Sequence, residues 1–132
     1  TGASAMGVSV SLFFTFWGLN ALKNGHRARG KGPLKRLLGW AMPSGPSRVP
    51  SSRMNFLGLG PRMFRLLMRR GGVPSLSELI DTAKAQGVTF IACCMSMDLM
   101  GIDKSELLDD IQYGGVATYL MAAQEADTNL FI

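Results

Sequence analysis

The chain has 132 residues, is 47% hydrophobic and 17% charged, and carries two cysteines and a net charge of +5. That is enough chain for one domain with a real core, and it is too apolar for a disordered segment. Two cysteines exclude a disulfide framework and fit a reduced, cytoplasmic setting.

The charge is divided along the chain. Before Glu78 there are twelve Lys or Arg and no acid, while residues 78–132 hold two Lys and nine acids, giving +12 and −7. Such a division fits an anionic partner for the basic half, or neutralisation of the two halves within the fold or across an oligomer.

In chain order, "ASAMG" reads as the last turn of a helix stopped by Gly7. A domain rarely opens this way, so a preceding strand and helix are expected ahead of it. "VSVSLFFTF" alternates: Val8, Val10, Leu12, Phe14 and Phe16 face one way, and Ser9, Ser11 and Thr15 the other. Period two predicts a buried strand rather than a membrane span, and the absence of a basic segment before it argues against a signal peptide. "WGLNALKNG" reads as a short helix closed by Gly25. Residues 41–61 carry four Pro with several Ser and Gly and read as a long loop. "PRMFRLLMRRGG" predicts a basic helix with Pro61 at its first position. In "SLSELIDTAKAQG", Ser75 and Glu78 are spaced as a capping box and Gly87 follows the last turn. "VTFIACC" is a continuous apolar run, as in a parallel strand buried on both faces. "DKSELLDDI" predicts a helix boxed by Asp103 and Glu106. "GGVATYLMAAQEA" predicts another helix, and "NLFI" a closing strand. Strands alternating with helices argue for an α/β domain with a parallel sheet.

The chemistry concentrates in "FIACCMSMDLMGI". Ligands of open parallel sheets bind beyond the carboxyl ends of the strands, where Cys93 and Cys94 are expected. The run Met95, Ser96, Met97 and Asp98 reads as a tight turn into a helix, whose N–H groups favour an anion or a thiolate. Cysteine is also a common core residue, and spacing alone leaves the reactive and structural readings open. Neighbours on a strand face opposite ways, so only one of the pair can enter the core. A disulfide between adjacent cysteines would close a strained ring. No metal site is expected, since two adjacent cysteines and a distant His26 fall short of four ligands. No P-loop, dinucleotide fingerprint or nucleic-acid module is present.

"IACCMSMDLMGI", followed by "GGVATYLMAA" and "NLFI", resembles the DsrE/DsrF-like family of small sulfur-handling proteins, in its peroxiredoxin-like branch. "SLFFTFWGLNALK" and the "AMP" of Ala41, Met42 and Pro43 carry the same resemblance. It covers nearly the whole chain and implies a single domain over residues 1–132. The implied fold is a three-layer α/β/α sandwich with a mainly parallel sheet, preceded in the family by a further strand–helix unit.

The implied activity is sulfur relay without a cofactor. Cys93 would take sulfane sulfur as a persulfide or thiosulfonate and pass it to a TusA-like carrier or another thiol protein. Cys94 would be a resolving or supporting thiol. The turn at Met95 to Asp98 would hold a small sulfur anion, and the loop at Ala41, Met42 and Pro43 would cover the site. A homo-oligomer is implied, with no nucleic acid. Two readings compete with this sulfurtransferase or carrier role: a thiol redox protein in which Cys93 oxidises and Cys94 resolves it, and a non-catalytic oligomeric subunit that binds an anion or a partner.

Overall fold

A computed structural model describes residues 1–25 and 59–130. In chain order the elements are α1 (Gly2–Ala5), β1 (Ser11–Phe14), the 3₁₀ segment η1 (Phe16–Leu22), α2 (Leu59–Arg70), α3 (Leu76–Ala85) and β2 (Thr89–Cys93). There follow α4 (Cys94–Met100), the 3₁₀ turn η2 (Lys104–Glu106), β3 (Gln112–Gly114) and α5 (Val116–Glu125). The three strands form one parallel sheet in the order β1–β2–β3, with helices on both sides. The α/β class expected from the sequence is present, with a small sheet.

The apolar run around Cys93 becomes the central strand because it can be buried on both faces. Its register pairs Phe13 with Ile91, Ile91 with Gln112, and Cys93 with Gly114. Register partners share a face, and successive residues alternate. Leu12, Phe14, Phe90 and Ala92 therefore look one way, and Phe13, Ile91, Cys93 and Gly114 the other.

The first face carries the main core. Phe90 and Ala92 cluster there with Leu19 and Leu22 of η1, Ile80 and Ala83 of α3, and Met97 of α4. The rings of Phe14 and Phe90 stack at 5.8 Å with 12° between their planes. Among the described residues, the second face is covered more thinly, by α5. Tyr119 meets Phe13 at 5.5 Å between ring centroids, and Thr118 stands over Gly114.

Backbone bonds tie the chain after η1 to the segment around η2. Leu108 N–H donates to the Leu22 carbonyl at 2.8 Å, and Asn24 N–H to the Glu106 carbonyl at 2.9 Å. The Asn24 side chain donates to the carbonyls of Ser105 and Leu107. These bonds hold Lys23 and Glu106 inside the fold, both buried. The Asp103 N–H donates to Glu106 Oε1 at 3.0 Å, so the second capping box is formed, on a 3₁₀ turn rather than a full helix.

Several boundaries differ from the sequence expectation. The first strand is four residues long, because Phe16 takes a left-handed backbone with φ 41° that no strand continues. The helix expected after it is 3₁₀ and ends at Leu22; Lys23 is extended, so Gly25 does not close it. Of the loop expected at 41–61, residues 41–58 lie outside the described residues, and α2 already begins at Leu59. Pro61 is tolerated there because the first turn of a helix needs no N–H donors. The closing strand expected at "NLFI" is not formed at Asn129 and Leu130, and residues 131–132 lie outside the described residues. The third strand is "QYG" instead, a segment too short and polar to signal itself.

The capping box of α3 forms as expected. Ser75 Oγ accepts from the Glu78 N–H at 3.3 Å, and Ser75 N–H donates to Glu78 Oε2 at 2.6 Å. That backbone bond, with the Ser75 side chain and the Arg69 charge, holds the Glu78 carboxyl below its ordinary range. A carboxylate with a depressed folded value stabilises above its unfolded value, and the gain is lost as pH falls through the folded one. Ser75→Ala is expected to cost about 1 kcal/mol in urea unfolding at neutral pH. The stability gap between wild type and Glu78→Ala should narrow as the pH is lowered through the carboxylate range.

Candidate functional site

The carboxyl edge of the sheet gathers three chain reversals. β1 leads into η1, β2 into α4, and β3 through Gly115 into α5. Cys93 is the last residue of the central strand and the N-cap of α4, with φ −73° and ψ 113°. Cys94 is the first residue of that helix. No turn separates strand from helix, so Cys94 does not follow the strand alternation expected of it.

The two thiols differ in access. Both are free, Cys93 buried and Cys94 exposed. Cys93 is 5% exposed and stands on the face away from the main core, alongside Ile91 and opposite Gly114. It therefore lies on the face to which α5 packs, apart from the core cluster that contains Phe90 and Met97.

The residues expected to form an anion-holding turn are the first turns of α4. Ser96 and Met97 are buried, with Met97 in the core cluster, while Met95 and Asp98 are exposed. The four thus divide between two sides of one helix. Ala41, Met42 and Pro43 lie outside the described residues, as does His26. Among the described residues no group of three or more His, Cys, Asp or Glu could hold a metal ion.

Sequence reasoning missed the wall of the site. Gly114 is buried, and a Cβ placed on it would stand 2.8 Å from both Cβ and Oγ1 of Thr118. Thr118 Oγ1 in turn accepts from the Gly115 N–H at 3.3 Å and closes the first turn of α5. The pair "GG" ahead of a helix was the available signal. It reads as a helix start, and only the strand register shows that its first glycine lies beside a cysteine.

Asn20 was missed as well. It is 1% exposed, and its Nδ2 donates to the Trp17 carbonyl at 3.1 Å, while its Oδ1 has no partner. A buried acceptor without a donor costs about 1–3 kcal/mol. It sits on η1, which packs against α4.

Two measurements follow from this geometry. Cys94 should be alkylated by iodoacetamide in the native protein roughly tenfold or more faster than Cys93, with the difference lost in denaturant. Gly114→Ala forces a side chain into Thr118 and should lower stability by about 1–3 kcal/mol in urea unfolding. It should also speed Cys93 alkylation, because the covering helix is displaced.

Residues 1–131 match the sequence model of the DsrE/DsrF/DrsH-like family. The chain is 46% identical over 132 residues to the uncharacterized protein YrkE of Bacillus subtilis, covering 99% of the chain and 82% of that protein. It is 33% identical over 134 residues to the sulfur carrier protein DsrE2 of Allochromatium vinosum, covering 98% of the chain and 83% of that protein. With a whole-chain family match and relatives of this identity and coverage, the chain belongs to the DsrE/DsrF/DrsH-like family.

Proposed function

We propose that the protein is a sulfur carrier or sulfurtransferase that takes sulfane sulfur on Cys93 and passes it to a partner thiol, such as that of a TusA-like carrier. The observation that carries this reading is the position of Cys93: a thiol at the carboxyl end of the central parallel strand, where such sheets bind their ligands. Family membership and the 33% identity to a sulfur carrier protein support the same chemistry.

The burial of Cys93 favours a persulfide over a thiosulfonate as the carried group. A persulfide adds one small polarisable atom, whereas a sulfonate brings three anionic oxygens that need donors when removed from water. Free thiols on both cysteines suit a reducing compartment such as the cytoplasm. Among the described residues no helix is long and apolar enough to cross a membrane. A homo-oligomer fits the same reading, since α5 buries none of its residues and exposes Val116, Leu120 and Met121.

Incubation with thiosulfate or polysulfide, desalting and intact-mass measurement should show one sulfur atom retained by the wild type. After a glutathione wash, which strips sulfur held on an exposed thiol, Cys93→Ser should retain roughly a tenth of what the wild type keeps, or less. A wild type that retains no sulfur, or a Cys93→Ser variant that retains as much as the wild type after that wash, would sink the proposal. An acceptor thiol protein added to the loaded wild type should remove the sulfur and carry it away.

A further inference from the structure

The carrier reading needs a sulfur atom to pass between another protein and a thiol that is 5% exposed. Displacement at sulfur requires the attacking thiolate, the transferred atom and the leaving thiolate to come into line. A persulfide borne on a second protein cannot reach that line at Cys93. It can at Cys94, which is exposed and is the very next residue.

On the strength of that contrast, and resting on the carrier reading above, we infer that the two cysteines form a two-station relay. Cys94 is the port that exchanges sulfur with partner proteins, and Cys93 is the store. In the first step the Cys94 thiolate attacks the outer sulfur of a donor protein's persulfide. The donor's S–S bond breaks, its thiolate leaves, and Cys94 holds the sulfur. In the second step the Cys93 thiolate attacks that same outer sulfur. The bond from Cys94 Sγ to the transferred atom breaks as the bond to Cys93 Sγ forms, and the proton given up by Cys93 ends on Cys94. The sulfane sulfur keeps its oxidation state throughout, so no oxidant or reductant is needed. Unloading to an acceptor thiol runs the two steps backwards.

The adjacency that disfavours a disulfide suits this transfer. A trans peptide holds neighbouring Cα atoms about 3.8 Å apart, short of the roughly 4.4–6.8 Å that a relaxed disulfide spans. A sulfur atom in transit lies between the two Sγ atoms, which are then separated by about two S–S bond lengths, roughly 4 Å. Adjacency also protects the cargo. A thiol beside a persulfide ordinarily attacks its inner sulfur, expels hydrosulfide and forms a disulfide. Here that product is the strained one, so the sulfur is moved rather than discharged. Once on Cys93 it is held on a buried residue, away from solvent thiols.

The relay is tested with serum albumin carrying a persulfide on its free thiol as donor, on the full chain. Samples are quenched by alkylation at short times, and fragment-ion mass spectrometry locates the added sulfur. The wild type should show sulfur first on Cys94 and then on Cys93. In Cys94→Ser, and in Cys94→Ala as a second variant, loading of Cys93 from albumin persulfide should slow by roughly tenfold or more. In Cys93→Ser the sulfur should reach Cys94 at the wild-type rate and be stripped faster by glutathione. Cys93 loading in both Cys94 variants at a rate within about twofold of the wild type would overturn the relay and leave the carrier reading standing. A wild type that holds sulfur on neither cysteine would overturn both.

Discussion

The pairing of Cys93 with Gly114 across the sheet is the constraint on which the rest depends. β2 can place a thiol at the sheet's carboxyl edge only if its neighbour leaves room for what lies above. Any side chain at Gly114 would meet Thr118, and Thr118 in turn fixes the first turn of α5. One missing Cβ thus lets a helix start directly beside the cysteine. Moving the register by one residue would bring Tyr113 to that place and turn Cys93 toward the main core.

The two faces of the sheet are unequal, and the inequality matters for chemistry. One face holds the main core, closed by η1, α3 and α4 through Leu19, Leu22, Ile80 and Met97. The other is closed, among the described residues, by a helix with no buried residue of its own. Cys93 belongs to the second face. A thiol packed among Phe90 and Met97 would be inert filler, reachable only by unfolding the domain. On the thin face it is covered without being part of what holds the fold together.

The sequence made the helices with local signals easy to find. Ser75 with Glu78 announced α3, and the continuous run ending at Cys94 announced the central strand, which stops one residue earlier at Cys93. Long-range constraints were not legible. β3 is three residues with a polar start, and it is a strand only because β2 offers it an edge. Phe16 matched the alternation of β1 in composition but takes a left-handed backbone. The cysteine pair was legible as a candidate site, and so was the limit that only one of the two can enter the core, while the actual division, with Cys93 buried and Cys94 exposed, was not. That division arises because the helix starts at Cys94 with no intervening turn, a fact about backbone geometry that apolar residue types on both sides do not encode.

That abrupt start decides what the pair can do. Had the strand continued through Cys94, alternation would have sent the two thiols to opposite faces of the sheet, with the peptide backbone between them. Had a loop intervened, the second thiol would have been free to swing toward the first and close a disulfide. A strand that ends at Cys93 and a helix that begins at Cys94 do neither. The peptide bond holds the residues at a fixed short separation, while the change from extended to helical backbone gives them different surroundings. One residue inherits the cover of the sheet and the other the exposure of a helix start. A thiol that can be met from outside is thereby joined to one that cannot, through the shortest connection a polypeptide provides.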